Sequence, residues 1–414
     1  MGVAEGIDSE KLSEAGWGII FHNSETQAVR EALSPLLALR EQQAGQYYRE
    51  FWGVDGYQPG NSKNDFLKRF GKGPGTADPA AGVPYYLLIV GGPEKIPFTF
   101  QYQLDVQYAV GRICFDTPEE YACYAQRIVD AESVVFSPQR KMSIFAPFHA
   151  DDVFTEVARE YLISPLHQSL RKKTDIQLSV SLGKDATKTV LINLLEDASI
   201  LLISAHGIAF PPDFPLQRME QGAILCADWP GPALHQGPIP RDFYFSGLDC
   251  SENSNFRSKI VIANSSYSVG TPERDIFLLS GGGMVGGSVT GSMPASEPFI
   301  SYLSKKLLGQ QNGNTLAFIG MSDRVWSFSY PSKGFLVDGL AFDSVLNFLL
   351  NGSRVGRAAE YFNERYAEVS TMLTEVLDNF SFDKNFDETI ISSLWASNND
   401  ARNTTILGDP AVRV

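Results

Sequence analysis

The chain is short of positive charge and of cysteine. Its 34 Lys and Arg face 48 Asp and Glu, a formal charge of −14 over 414 residues. Such a balance repels phosphate backbones and anionic headgroups, which argues against nucleic acid or a membrane as partner. The four cysteines, Cys114, Cys123, Cys226 and Cys250, are too few for a disulfide scaffold, and no two have C-x-x-C spacing. They are expected as reduced thiols, with no zinc site. Neither His149 nor His235 has partners at metal-ligand spacing, and no cofactor or metal is expected. The N-terminus has no basic stretch followed by an apolar one, so it is no secretory signal, and Gly6 stands where a myristoylation motif needs Ser or Thr. No apolar run reaches the length of a membrane span. The expected location is cytoplasmic. There is no G-x-S-x-G elbow, which disfavours a serine hydrolase of that build, and there is no internal repeat.

What is present is a core. Hydrophobic residues are 43% and aromatics 12% of the chain, ample for one large domain or two packed ones. Strands are expected at Pro84–Gly91, Asp105–Ile113, Met142–Pro147, Ile176–Leu182, Ile200–Ala205, Ile260–Ala263, Gly283–Val289 and Thr315–Gly320. Helices are expected at Glu25–Gln43, Thr117–Glu132 (opened by a capping box), Asp152–Arg171, Asp185–Glu196 and Pro298–Leu308, with Leu336–Leu377 mostly helical. Gly53–Gly82 reads as loop. Strands alternating with helices indicate an α/β fold, a doubly wound, mostly parallel sheet with helices on both faces. Residues 1–135 read as a smaller N-terminal α/β subdomain and 136–414 as the larger, catalytic one. The loop Phe210–Asp249, long and rich in Pro, Gly and aromatics, reads as functional.

Two apolar runs stand out. Ser199–Gly207 ends in Ser-Ala-His-Gly, and Lys259–Tyr267 ends in Asn-Ser-Ser-Tyr. In an open parallel sheet the chemistry lies at the carboxyl ends of strands. His206 and Ser266 therefore read as a base and a nucleophile carried there on separate strands. Ser265 is the alternative by register.

This arrangement resembles the caspase–gingipain (clan CD) cysteine peptidases, in which a His-Gly follows one strand and a catalytic Cys the next. Further blocks in the same order resemble the gingipain-like branch: Leu-Ile-Val-Gly-Gly-Pro-Glu-Lys-Ile-Pro within Tyr85–Pro97, Val-Gly-Arg ending at Arg112, and Ile-Leu-Gly-Asp-Pro ending at Pro410. The caspase pentapeptide around the nucleophile is absent. The resemblance implies a caspase/gingipain-like fold and a cysteine endopeptidase with protein or peptide substrates, restrained by a regulatory protein partner and used in bacterial stress or defence. It implies that the nucleophile attacks the scissile carbonyl, that the backbone N–H groups of Gly207 and Ser266 hold the oxyanion, and that His206 protonates the leaving amine. It places an acid in the loop Pro147–Asp152, so that Asp151 or Asp152 faces a basic side chain preceding the cleaved bond, with Trp326 against its stem. The competing roles are a helix N-cap for Asp152 and a core position for Trp326. His149 lies in the same loop.

The departure from the family is Ser266 itself. A thiol ionises near about 8.5 and a neighbouring His lowers that further, whereas a hydroxyl needs a strong base oriented by a buried acid. No such acid is identifiable from the sequence. Two readings follow: a thiol peptidase whose nucleophile has been exchanged for serine and which traps substrate inactively, or a natural pseudo-protease that binds protein segments.

Overall fold

The computed structural model of the chain describes residues 2–133, 140–149, 151–251, 254–274, 294–326, 339–382 and 388–413. Ten strands form one sheet: β1 (Trp17–Phe21), β2 (Tyr48–Phe51), β3 (Tyr86–Val90), β4 (Ala109–Ile113), β5 (Arg140–Ala146), β6 (Ile176–Leu182), β7 (Ile200–Ser204), β8 (Ile260–Asn264), β9 (Ala317–Met321) and β10 (Thr404–Gly408). Their order is β2-β1-β3-β4-β10-β9-β8-β7-β5-β6. Every residue of β1, β3, β4, β7, β8 and β9 is buried, as continuous apolar runs require when helices cover both faces of a sheet. The α/β, mostly parallel architecture expected from the sequence is the one observed.

One pairing breaks the pattern. The β9–β10 pair is antiparallel, while all other neighbours in the sheet are parallel. The sheet is therefore two parallel blocks of opposite direction, joined at that seam. The first block takes its strands from residues 17–113 and completes itself with the C-terminal β10; the second spans residues 140–321. The subdomain boundary expected at residue 135 falls outside the described residues, as does the strand expected at Gly283–Val289.

Several expectations are corrected in detail. The single helix expected over Glu25–Gln43 is two, Gln27–Ala32 and α1 (Ser34–Ala44), because Pro35 suits only the first turn of a helix. The expected strand Asp105–Ile113 begins only at Ala109; a helix ends at Asp105, whose buried carboxylate accepts the Val110 N–H at 3.2 Å and closes the turn. Within the expected loop Gly53–Gly82 lies the helix Lys63–Arg69, opened by a Ser62/Asp65 capping box. Strands β1, β2 and β10 and the helix Glu388–Asn403 were not expected. The helix α2 (Pro118–Ser133) does carry the expected box, with the Glu120 N–H donating to Thr117 Oγ1. Among the described residues no helix is long and apolar enough to cross a membrane.

The C-terminal strand is locked by Asp409, which is fully buried. Its carboxylate accepts the Trp17 indole N–H at 2.9 Å, the Ala411 N–H at 3.0 Å and the Arg40 guanidinium at 2.7 and 2.8 Å. Arg40, itself fully buried on α1, also reaches Glu132 of α2 at 2.6 Å. Burial alone would raise the Glu132 carboxyl, but the Arg40 charge outweighs it and holds the group below the ordinary carboxylate value. Glu132 thus stabilises the fold above the ordinary carboxylate range, and that contribution is lost as pH falls through its lowered value. Removing the charge at Asp409 leaves a buried guanidinium under-compensated. Asp409→Asn is expected to destabilise the protein by about 3–5 kcal/mol, read as a lowered urea midpoint; an unchanged midpoint would show that the cluster contributes no net stability.

Candidate active site

Four strands that are neighbours in the sheet, β5, β7, β8 and β9, end on the same side, and the loop after each brings one part of a cluster. Asp152 follows β5, His206 follows β7, Ser266 follows β8 and Val325 follows β9.

His206 is held from two directions. Its backbone carbonyl accepts the Leu225 N–H at 3.0 Å, and the Ile208 N–H donates to Ala223 at 2.9 Å, so the long loop Phe210–Asp249 begins by pairing with the end of β7. Within that loop, Ile224–Leu225 and Tyr244–Phe245 form a small hairpin. The imidazole lies against the Phe154 ring, with centroids 4.7 Å apart, and its Nε2 is 2.8 Å from Asp152 Oδ2. The side chain is 34% exposed, open to a substrate.

The sequence places Asp152 in a substrate pocket, or as a helix N-cap; the structure commits its carboxylate elsewhere. Asp152 precedes α3 (Val153–Ala158) at the N-cap position but makes no side-chain cap bond. It is only 8% exposed, and Oδ2 accepts from both His206 and the Thr155 hydroxyl, the latter at 3.0 Å. Burial pushes this carboxyl up, but the His206 hydrogen bond and charge, with the Thr155 hydroxyl, outweigh it and hold the group below its ordinary value. An ionised carboxylate only accepts hydrogen bonds, so the proton of neutral His206 resides on Nε2. Nδ1 keeps its lone pair and is the basic atom. The acid that the sequence left unidentified is thus within reach of His206. The signal that could have found it is topological: β5 is the sheet neighbour of β7.

Ser266 sits one turn beyond β8. Asn264 pairs with Ser204 in register, and the Ala205 N–H donates to the Asn264 carbonyl at 3.4 Å, which brings the two strand ends together. Tyr267 has φ +58°, a left-handed conformation unusual for an aromatic residue, and its N–H donates to the Asp323 carbonyl at 2.9 Å. Such strain concentrates where a turn must aim a side chain. The Ser266 hydroxyl accepts the Val325 N–H at 3.0 Å and makes no hydrogen bond to His206. The alternative, Ser265, is fully buried and its hydroxyl has no hydrogen-bond partner among the described residues, so only Ser266 is reachable.

Gly207 is required by close approach. A Cβ there would lie 1.8 Å from the Ser266 carbonyl oxygen and 2.9 Å from Ser265 Oγ. The bare Cα lets the Ser266 turn rest directly on the end of β7. The backbone N–H groups of Gly207 and Ser266 have no acceptor among the described residues, leaving two donors at the junction. Asp151 is exposed, with φ +64°, in the loop after β5. Trp326, half-buried, lies one residue beyond Val325; its N–H donates to Asp400 Oδ2 at 2.9 Å, and the Arg324 guanidinium sits over its ring at 5.6 Å.

Gly207→Ala forces backbone apart, because the obstructing atom is a carbonyl oxygen that cannot rotate away. The expected cost is about 1–3 kcal/mol, measured by chemical denaturation, together with a displaced Ser266 turn in a crystal structure of the variant. Wild-type stability with an unmoved turn would disprove the close approach.

The comparisons with known proteins follow this geometry. At the level of sequence, no family model matches and no curated protein matches. Solved structures do. The crystal structure of the Arg-specific cysteine proteinase gingipain R matches with TM-score 0.54 at 12% identity, over 100% of this chain and 80% of that one. The complex of the Porphyromonas gingivalis RgpB pro- and mature domains matches with TM-score 0.54 at 11% identity, over 96% and 79%. A structure described as a protease matches with TM-score 0.53 at 12% identity, over 96% and 78%. The chain therefore has the gingipain-like fold that its motif order resembles.

Proposed function

We propose that the chain is built as a clan CD endopeptidase for protein or peptide substrates. In this reading position 266 is the nucleophile, His206 the general base and acid, and Asp152 the carboxylate that orients His206. The observation that carries the reading is the 2.8 Å bond from Asp152 to His206, on strand ends adjoining the one that presents Ser266. A buried acid, a half-exposed imidazole with a free basic nitrogen and a reachable small nucleophile are what acyl transfer needs.

The nucleophile side chain turns from the Val325 N–H toward His206 Nδ1 and gives up its proton there. Its anion attacks the scissile carbonyl. The N–H groups of Gly207 and Ser266 receive the oxyanion, and Asp152 stabilises the imidazolium. His206 then protonates the leaving amine, and the same nitrogen activates the water that hydrolyses the acyl-enzyme. A thiol reaches its anion far more readily than a hydroxyl. With serine at 266 the chain holds a substrate segment with little turnover. A second reading, a pseudo-protease that captures segments without cutting, is favoured by the resting bond of Ser266 to Val325 rather than to His206. Ser266→Cys separates the two. Expected is peptidase activity and labelling at position 266 by peptide electrophiles, lost by about 10²–10⁴-fold in a further His206→Ala change. A Cys variant without activity, or activity indifferent to His206, would overturn the peptidase reading.

For specificity we infer cleavage after a basic residue. The indole of Trp326 already carries a guanidinium from Arg324, an arrangement a substrate cation can take over, and Asp151 is the exposed carboxylate of the loop beside the site. Asp152 is reassigned from that pocket to His206. In the Ser266→Cys form, Arg or Lys before the cleaved bond is expected to be preferred, and Asp151→Asn and Trp326→Ala to weaken that preference. A preference for acidic or apolar residues in the same scan would refute it.

A further inference from the structure

Beside Asp152 lies a second imidazole that the reaction above does not use. His149, in the loop after β5, is 7% exposed; its ring nitrogens make no well-formed hydrogen bond among the described residues, and the backbone of Cys226 and Trp229 is what faces them. Its ring packs edge-on against Trp229 of the long loop, with centroids 4.8 Å apart. Its Nδ1 is 3.9 Å from Asp152 Oδ2, the same oxygen that accepts from His206 at 2.8 Å. Burying an imidazole whose nitrogens are only weakly satisfied costs free energy that a phenyl ring would not. A filler for the space under Trp229 has no use for those nitrogens; a group that acts on the neighbouring carboxylate does.

We propose that His149 is a positioning residue for His206, acting through Asp152: two imidazoles share one carboxylate oxygen, and a proton on either weakens the other's claim to it. The proposal rests on the reading of His206 as the catalytic base. The groups facing His149 are few. Asp152 and the backbone of Cys226 and Trp229 favour its protonated form, while burial, the largest influence, and the His206 charge oppose it, so its pKa lies below the ordinary value. At neutral pH His149 is therefore uncharged and competes with His206 for Asp152 Oδ2 only as the more distant, neutral partner. A proton on His149 would set a second positive charge beside the oxygen that His206 holds, and the hold on His206 would loosen.

The test needs no turnover. Histidine-ring NMR titration of the chain with Ser266 intact follows His206 directly among five histidines. In His149→Phe, which keeps a ring against Trp229, the His206 midpoint is expected to rise by a few tenths of a pH unit, because the carboxylate is no longer shared. In Asp152→Asn it is expected to fall. His149→Gln serves as the second variant should the phenyl ring disturb folding, and the same upward shift is expected. An unchanged His206 curve in both His149 variants, with the Asp152→Asn shift present, would reduce His149 to packing and overturn the proposal. A repeat in the Ser266→Cys form, reading the pH dependence of kcat/KM, keeps the two claims apart. An inactive thiol form with coupled titration defeats the peptidase reading alone. An active form whose acid limb and His206 midpoint ignore His149 defeats this one alone.

Discussion

One buried carboxylate holds the two halves of this molecule in a single sheet. Asp409 follows the last strand and accepts from Trp17 on β1 and from Arg40 on α1, while its own N–H donates to the Tyr124 hydroxyl on α2 at 2.6 Å. Tyr124 in turn donates to the Leu316 carbonyl, at the start of β9, at 2.8 Å. The C-terminal strand is thereby pinned between β4 and β9, where it runs parallel to one and antiparallel to the other. Gly111 and Gly408 allow that seam to close, since a Cβ on either would meet backbone oxygen at 2.0 and 2.4 Å. Without the seam, the block that bears the site would expose β9 as a sheet edge.

The site depends on the order of strands more than on any loop. Because β5, β7, β8 and β9 are consecutive and three-way parallel pairings align their ends, the acid, the imidazole, the hydroxyl and the Val325 N–H arrive at one rim. Each is then fixed by a local device: Phe154 under His206, the left-handed Tyr267 after Ser266, and bare Gly207 between them. Tyr267 is buried, and Phe154 and Gly207 are half-buried.

Much of this was legible. The runs Ile200–Ile203 and Ile260–Ala263 are apolar without interruption, so they had to be interior strands, and the abrupt change at Ser204 and Asn264 marked their ends. The His-Gly pair and the polar turn after the second run then named His206, Gly207 and Ser266. In the sequence Asp152 reads as a helix N-cap by position or, by the resemblance, as a pocket acid, and neither role involves His206. Its pairing crosses 54 residues and is set by which strand lies beside β7, a fact with no local signature. His149, three residues from Asp152, reads from the sequence only as bordering the site; that Asp152 also serves His206 is again a matter of strand order. Strand β10 was missed because Thr404–Gly408 is short and follows a long helix, and nothing nearby in sequence shows that it fills a gap between β4 and β9.

The sequence by itself determined the interior strands β7 and β8 and the residues at their ends, because burial on both faces of a sheet demands unbroken apolar runs and a change to small polar residues marks where they stop. Only the tertiary structure decided which acid serves which imidazole, that a second imidazole faces the same oxygen, and that the last strand reverses direction to join two blocks. The pairing of Asp152 with His206 rests on a distance of about 3 Å between residues far apart along the chain, the range at which hydrogen bonds and charge pairs act, and strand order brings such residues together.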